Sequence, residues 1–466
     1  MAAVADKAPL SVIILAAGQG KRMRSGLPKV LQPLAGRPLL AHVIDQARAL
    51  QAHAIHIVYG HGGDAVPAAF QGEADLVWVE QAEQKGTGHA VQQAIFNVPD
   101  GDLVLVLYGD VPLVTPATLK RLLQPARRGA LSVLAAEFSD PTGCGRIIRD
   151  QEGAVARIVE HQDADEAQRA VREINTGLLA APARDLKRWV AALKPNNAQR
   201  EYYLTDCVAA AVAKQREVQA VLAADAAEVH GINDRKQLAD AERILRARAA
   251  DALLDAGVTL ADPLRIDVRG TLDCGMDVSI DANCLFEGAV SLGDGVRIGP
   301  GCVIKDSAIG AGTVVHPHTL IDSAQIGVGC SIGPFTRIRP ESTVGAGAHV
   351  GNFVELKKSE LGAGAKANHL AYIGDTTVGR EVNVGAGTIT CNYDGANKHR
   401  TVIGDGAFIG SNSSLVAPVT IGAGATIGAG SVITKDAPAG ELTVTRATQT
   451  TVPGWTRPLP NQPKKK

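Results

Sequence analysis

Between residues 280 and 437 an aliphatic side chain followed by a small one recurs nearly every six positions, and this register constrains the fold more than any other feature of the chain. It runs from Ile280 through Phe286, Leu292, Ile298 and Ile304 to Val384, and again from Ile403 through Ile409, Leu415, Ile421 and Ile427 to Ile433. A period of six is neither the 3.6 of a helix nor the alternation of a simple strand. It describes a solenoid with three short strands per coil of about eighteen residues. The leading Ile, Val or Leu points inward, and the Gly, Ala, Ser and Thr between permit tight corners and close stacking. About nine coils at roughly 4.8 Å each make a prism on the order of 40 Å tall. Steps of five, as from Ile304 to Ile309, trim single corners without breaking the phase. A disordered Gly/Ala tract would not keep its aliphatics in phase. From Val384 to Ile403 the register is lost, and residues 391–400 read as a loop projecting from one corner.

The chain is 466 residues long, enough for two or three domains and a sizeable core. A net charge of −1 gives no reason to expect nucleic acid or an anionic membrane as the main partner, and Lys464, Lys465 and Lys466 form the one basic run, read as a solvated tail. The seven cysteines show no CxxC and no paired spacing, which suits free thiols in a reducing cytoplasm. The apolar run at 12–17 is too short for a signal peptide or a membrane span.

Before the prism the pattern alternates between strand-like and helix-like segments. Strands are predicted at 11–16, 54–59, 76–79, 103–108, 131–138, 174–180 and 218–222, with helices including 39–50, 89–97 and 203–216. Such alternation implies a mostly parallel sheet covered on both faces, with ligands at the carboxyl ends of its strands. A helix over 233–256, capped by Asn233 or Asp234 and ended by Gly257, separates this part from the prism. Residues 163–172 read as a surface loop.

The first strand ends in Leu15-Ala16-Ala17-Gly18-Gln19-Gly20-Lys21-Arg22, with Lys29 soon after. Glycines let a backbone approach phosphate and the cations neutralise it, although a Gly-rich turn after a strand is also an ordinary connection. The loop is neither a Walker A sequence nor a dinucleotide fingerprint. Asp110 follows the buried strand at 103–108, where a carboxylate suits a Mg²⁺ that keeps most of its waters, or simply a turn. Gln81 to Gln84 and Gly86-Thr87-Gly88 offer amides and close backbone approach to a base, or a helix start. In the prism Arg339, Lys357, Lys358, His369, Tyr372 and Asn383 gather within a few coils beside the loop, none at an inward position.

With both parts in view the chain resembles, over nearly all of its length, the bacterial bifunctional family that is N-acetylglucosamine-1-phosphate uridyltransferase and glucosamine-1-phosphate acetyltransferase. The resemblance is carried by Leu15-Ala16-Ala17-Gly18, Gln81-Ala82-Glu83-Gln84 with Gly86-Thr87-Gly88, Tyr108-Gly109-Asp110, Asp140-Pro141-Thr142-Gly143-Cys144-Gly145-Arg146, Ile174-Asn175-Thr176-Gly177 and Thr390-Cys391-Asn392-Tyr393-Asp394-Gly395, in this order and followed by the hexapeptide prism. It implies an α/β nucleotide-diphospho-sugar transferase (Rossmann-like) domain over 1–232, a linker helix over 233–256, a left-handed parallel β-helix of hexapeptide repeats over 257–446 and a tail over 447–466.

By resemblance, the first domain joins UTP to N-acetylglucosamine-1-phosphate. Leu15, Ala16, Ala17 and Gly18 form its first loop, and Arg22 and Lys29 hold phosphates. Gln81, Gly86 and Thr87 read the uracil. Tyr108, Gly109, Gly145, Glu160 and Asn175 surround the sugar, and Asp110 and Asn233 bind Mg²⁺. The prism acetylates glucosamine-1-phosphate from acetyl-CoA, with His369 as base, oriented by Glu355. Arg339, Lys357, Tyr372, Asn383, Asn392 and Tyr393 hold the sugar phosphate, and Ala386, Ser411, Ala429 and Arg446 line the acetyl-CoA groove. Members of this family are homotrimers, with acetyl sites between neighbouring prisms. One departure is Lys21, where the family pattern has threonine. The alternative, a single-activity sugar-1-phosphate nucleotidyltransferase with a structural or regulatory solenoid, does not explain the polar cluster around His369 or the loop beside it.

Overall fold

In a computed structural model, residues 8–457 are described, and the basic run at 464–466 lies outside them. The chain forms two compact units, Met1–Leu245 and Arg246–Lys466.

The first unit is built on Leu10–Leu15, which lies between the parallel strands Ala54–Tyr59 and Leu103–Tyr108. Its residues are all apolar or small because both faces are covered. Val12 and Ile14 enter one core, and Ile13 and Leu15 enter the other. Leu76–Glu80 extends the sheet at one side in parallel. On the other side lie Glu173–Pro182, Leu131–Glu137 and Val218–Leu222. Glu173–Pro182 runs antiparallel to both neighbours, so the sheet is mixed where the alternation had suggested parallel strands. A hairpin of Gly145–Arg149 and Val155–Val159, not anticipated from the sequence, pairs with Glu173–Pro182 near Asn175.

Two helices also missing from the sequence reading, Pro116–Arg127 and Ala183–Ala191, cover the sheet with amphipathic faces. Leu119, Leu122, Leu123 and Ala126 give the first its buried stripe. The helix predicted at 203–216 shortens to Asp206–Ala213, because the preceding residues run beside 85–88 instead. There Tyr202 N donates to the Lys85 carbonyl at 2.9 Å, and Gly88 N to the Tyr202 carbonyl at 2.7 Å. Residues 163–172 are more than a loop: Asp165 and Gln168 cap each other's backbone around the short helix Glu166–Arg169. Asp234 Oδ1 caps Arg235–Asp255, accepting from Lys236 N and Gln237 N at 2.9 Å each.

The second unit is the parallel β-helix that the period of six requires. One face is an eleven-stranded parallel sheet, and a seventeen-stranded sheet forms the other two. It begins at Thr259–Leu260 and ends at Leu442–Thr443, beyond the counted repeats on both sides, so the face is taller than nine coils. Every leading residue of the counted register, from Ile280 to Ile433, is buried in one continuous core. All seven cysteines are unpaired. Burial pushes the Cys302 thiol up to about 12 and raises Cys284 and Cys330 too, so these three pack as small apolar groups.

The lapse in the register is shorter than the sequence suggested. Ile389–Cys391 is still a strand, stacked on Tyr372–Gly374 below and Ser414–Val416 above, and the inward slot is filled by Thr390. An aliphatic count passes over a threonine. The Thr390 hydroxyl accepts from Gly374 N at 2.8 Å and lies 3.2 Å from the Gly374 carbonyl, to which it donates. The loop proper is 392–400, and Thr401–Ile403 resumes the stack on Thr376–Val378.

Thr390→Val gives this rung the shape and apolarity of its neighbours but leaves the buried Gly374 N–H without an acceptor. Urea denaturation of the variant is expected to show a loss of about 1–3 kcal/mol rather than a gain.

Candidate active sites of the two units

At the carboxyl ends of Leu10–Leu15 and Leu103–Tyr108 two neighbouring cavities open. The smaller, of about 310 Å³, is lined by Leu15, Ala16, Ala17, Gly18, Lys29, Gln81, Gly86, Thr87, Tyr108 and Asp110. The larger, of about 610 Å³, shares Thr87, Tyr108 and Asp110 and adds Arg22, Gly145, Glu160, Asn175 and Asn233. Sequence reasoning thus named residues from seven separate segments that the fold gathers around one opening. Gly109 is the exception: it lines neither cavity, and a Cβ there would meet Val30, Leu40 and Ala16 at 3.2–3.4 Å. Lys21 lines neither cavity, so the departure from the family threonine falls outside them.

Several lining residues were not singled out from the sequence. Glu201 borders both cavities, and Tyr203, Thr205, His230 and Phe138 border the larger. Residues 203–205 had been absorbed into the helix predicted at 203–216, and 201–202 were assigned nothing. The signal that could have found them is the pair of glycines opposite. A Cβ on Gly86, at φ +105°, would stand 2.7 Å from the Tyr202 carbonyl oxygen, and one on Gly88 2.8 Å from it. These glycines therefore admit the 201–204 segment at least as much as a ligand. Gly177, at φ +89°, similarly makes room for the Tyr108 ring, whose Cε2 would lie 2.7 Å from a Cβ there.

The electrostatics follow from burial. Glu160 is largely buried, and desolvation holds its carboxyl above the usual range although Thr205 Oγ1 donates to it at 3.0 Å. Burial also raises the Tyr108 phenol, leaving a neutral hydroxyl donor. Lys29 Nζ hydrogen bonds to Asp110 Oδ2 and, at 3.1 Å, to Asn233 Oδ1. Two hard oxygen donors thus converge on one cationic point. This donor set fits a Mg²⁺ ion that takes its remaining ligands from water and phosphate.

In the β-helix, His369 ends the strand Lys366–His369 on the eleven-stranded face and is exposed. Leu370 turns the corner, and Tyr372 opens the next strand on the adjoining face. The residue that orients the imidazole is Asn352, one coil below, whose Oδ1 lies 2.8 Å from Nδ1. Glu355, expected in that role, is instead ion-paired with Arg339 at 2.9 Å. The stacking is cumulative: Gly387 N donates to the Leu370 carbonyl, Asn412 N to the Ala386 carbonyl and Gly430 N to the Ser411 carbonyl. Asn352, His369, Ala386, Ser411 and Ala429 therefore form one column up this corner. Arg446 closes it, with Nη2 3.8 Å from where a Gly428 Cβ would be.

On the adjoining face Arg339, Lys357, Lys358, Asp375 and Lys398 line a cavity of about 240 Å³. Lys357 Nζ is 3.8 Å from Asp375 Oδ2, and Asn392 Nδ2 hydrogen bonds to the same oxygen and lies 3.5 Å from the Tyr372 hydroxyl. Lys398 is an addition that the sequence reading left within the loop. The nearby Lys357 lowers its ammonium pKa, as two cations sharing one place require. The fold does not bring Asn383 to this cluster: it faces outward on the eleven-stranded sheet, in register with Lys366 and Phe408. Tyr393 stays in the loop, its hydroxyl donating to the Gly395 carbonyl at 2.6 Å.

An α/β sheet with a phosphate-type loop, followed by a hexapeptide β-helix with an exposed histidine, defines a nucleotidyltransferase joined to an acyltransferase. Comparison with known families agrees: a MobA-like NTP transferase domain matches residues 12–250, a bacterial transferase hexapeptide (six repeats) matches 400–435, and a GMPPB C-terminal domain matches 268–340. "Bifunctional protein GlmU" of Azoarcus sp. (strain BH72) is 57% identical over 450 residues, covering 97% of this chain and 99% of its own. The proteins of the same name from Bordetella parapertussis, 57% identical over 454 residues, and Xanthomonas axonopodis pv. citri, 57% over 455, also align over 99% of their lengths. The chain belongs to the bifunctional GlmU family. It is a transferase of two activities: acetyl-CoA-dependent N-acetylation of glucosamine-1-phosphate, and Mg²⁺-dependent uridylyl transfer from UTP to N-acetylglucosamine-1-phosphate, releasing pyrophosphate. A full-length match to bifunctional relatives disfavours the single-activity reading.

Because the folded state raises the Glu160 pKa, ionising this carboxyl costs stability as pH rises from the unfolded value through the folded one. Glu160→Gln keeps an acceptor for Thr205 and removes that cost. Thermal melting is expected to rise in the variant at pH 7.5, with the gain shrinking towards pH 4.5.

Proposed function

We propose that UTP and N-acetylglucosamine-1-phosphate meet across the two cavities of the first unit, with the base in the smaller and the sugar in the larger. The shared border of Thr87, Tyr108 and Asp110 carries this reading, since the reacting phosphates must lie where base and sugar sites adjoin. Gln81, Gly86 and Thr87 hold the uracil beside the loop of Leu15, Ala16, Ala17 and Gly18. Tyr108, Gly109, Gly145, Glu160 and Asn175 hold the sugar, Gly109 through its backbone. Arg22 and Lys29 neutralise the phosphates while the sugar phosphate oxygen attacks the α-phosphorus of UTP in line. No side-chain nucleophile is needed, so positioning and charge neutralisation carry the rate. Asp110 and Asn233 are the residues that hold Mg²⁺, which when bound supplies charge stabilisation to the phosphates.

In the second unit His369 takes a proton from the sugar ammonium, the resulting amine attacks the thioester carbonyl to form the amide, and the C–S bond breaks to release coenzyme A as the free thiol. Asn352 holds the ring by Nδ1, so Nε2 is the working nitrogen when Nδ1–H donates to the Asn352 oxygen. The small side chains of Ala386, Ser411 and Ala429 leave a groove up the corner to His369 for the arm of acetyl-CoA, with Arg446 at its far end. Arg339, Lys357 and Lys398 form the cationic seat for the sugar phosphate, with Tyr372, Asn392 and Tyr393 beside it and Glu355 fixing Arg339. Asn383 faces another side and completes the site of a neighbouring copy.

The protein acts as a homotrimer. The supporting feature is a corner on which Phe335, Phe353 and Leu370 sit at φ 55°, 58° and 52° and remain 50–61% exposed. Phe335 stacks on His318 at 5.2 Å and on Phe353 at 5.6 Å. Large apolar side chains on left-handed backbone gain little from water, and this row lies directly beside His369. Free thiols throughout and substrates of central metabolism suit a cytoplasmic setting.

Two measurements test this. Free thiol and pyrophosphate are followed separately in purified protein given each pair of substrates and Mg²⁺. His369→Ala is expected to lower thiol release by about 10²–10⁴ while sparing pyrophosphate release, and Asp110→Ala to do the reverse by about 100-fold or more. Equal loss of both activities in either variant overturns two independent sites. Phe353→Asp, checked by sedimentation, is expected to dissociate the trimer and to abolish thiol release with it.

A further inference from the structure

The amide of Gln81 can read a base only if its orientation is fixed, because turning it over exchanges a carbonyl acceptor for an NH₂ donor. Gln81 is 3% exposed, and its Nε2 lies 3.3 Å from the Gly86 carbonyl oxygen and 3.0 Å from His89 Nδ1. A carbonyl only accepts, so the atom facing Gly86 is the NH₂. His89 Nδ1 must then accept as well, which requires a neutral ring with its proton on Nε2.

A competing amide makes this a real choice. Gln93 Nε2 lies 3.2 Å from His89 Nε2, and a neutral imidazole can accept at one nitrogen only. Gln93 Nε2 also lies 3.1 Å from the His89 carbonyl, but Gln93 is partly exposed and its amide can turn to water, whereas Gln81 is buried and its NH₂ has only Gly86 and His89 in reach. Burial, and secondarily the charge of Lys85, keeps the ring below its usual pKa. The ring is also held in place, tilted against Tyr202 at 6.2 Å. With both amide hydrogens of Gln81 engaged, Oε1 is the polar atom left to the smaller cavity, and no described residue donates to it.

We infer that His89 is a positioning residue for nucleotide selection: by accepting from Gln81 Nε2 it presents Gln81 Oε1 to the base, an acceptor that pairs with uracil N3–H and opposes the unprotonated N3 of cytosine. The inference rests on the reading of Gln81 as a base contact. Discrimination arises because one orientation satisfies the buried amide with uracil and leaves two acceptors facing each other with cytosine.

The test uses full-length protein, pyrophosphate release, and UTP and CTP as alternative substrates. His89→Phe preserves the ring against Tyr202 but removes the acceptor. It is expected to raise the KM for UTP roughly three- to tenfold and to lower the preference for UTP over CTP at least as much, with the loss on KM rather than kcat. His89→Asn, whose Oδ1 can take the place of Nδ1, is expected to restore most of that preference. A His89→Phe enzyme with unchanged KM for UTP and unchanged UTP-to-CTP ratio overturns the inference, as does His89→Asn behaving like His89→Phe. Gln81→Ala separates the two levels. If it too leaves the KM for UTP unchanged, the base-contact reading falls and the inference with it; if it raises KM while His89→Phe does not, only the inference falls. A rise in CTP use is not something that misfolding can produce.

Discussion

Backbone pairing between successive coils is the constraint on which the second unit depends. Each coil adds one strand to each face at about 4.8 Å, and the inward aliphatic rung fixes its phase. Once phase is fixed, whatever stands at a given corner in one coil stands above its counterpart in the next. The site follows from that repetition. Asn352 lies beneath His369 because the strands His349–Asn352 and Lys366–His369 pair in register, and Ala386, Ser411 and Ala429 continue the same line upward. A column of small side chains at one corner is a natural product of a solenoid.

The first unit reaches its site by a different principle. Its parallel strands are apolar on both sides, and their polar chemistry begins only where they end. Leu15 and Tyr108 close neighbouring strands, so the loops after them share one opening. The antiparallel strand Glu173–Pro182 and its hairpin bring Asn175 and Gly145 to the same place from the other side. The buried Glu160 is held there at a cost in desolvation, with only the Thr205 hydroxyl in partial compensation.

The unit also shows how second-layer residues set the character of a site. The 201–204 segment passes so close to Gly86 and Gly88 that neither tolerates a side chain, and His89 follows directly on the helix those glycines begin. The same few residues therefore fix the chain path, the cavity border and the hydrogen-bond partners of Gln81. In the β-helix the Arg339–Glu355 pair and the Lys357–Asp375–Asn392 group do comparable work, holding long side chains still around a cationic pocket.

The sequence by itself determined the two architectures, because their signals are local. An inward aliphatic every six residues describes a coil without reference to any other coil, and strings such as Val12-Ile13-Ile14-Leu15 describe a strand buried on both faces. Motifs attached to strand ends, such as Gly18 and Asp110, were legible for the same reason. What stands beside what was decided only by tertiary structure. The threonine rung at 390, Asn352 in place of Glu355 against His369, Lys398 against Lys357, and the passage of residues 201–204 over Gly86 all depend on pairings between distant segments. Hydrogen-bond geometry across a coil or between two loops leaves no periodic trace in the chain, so it had to be seen in three dimensions.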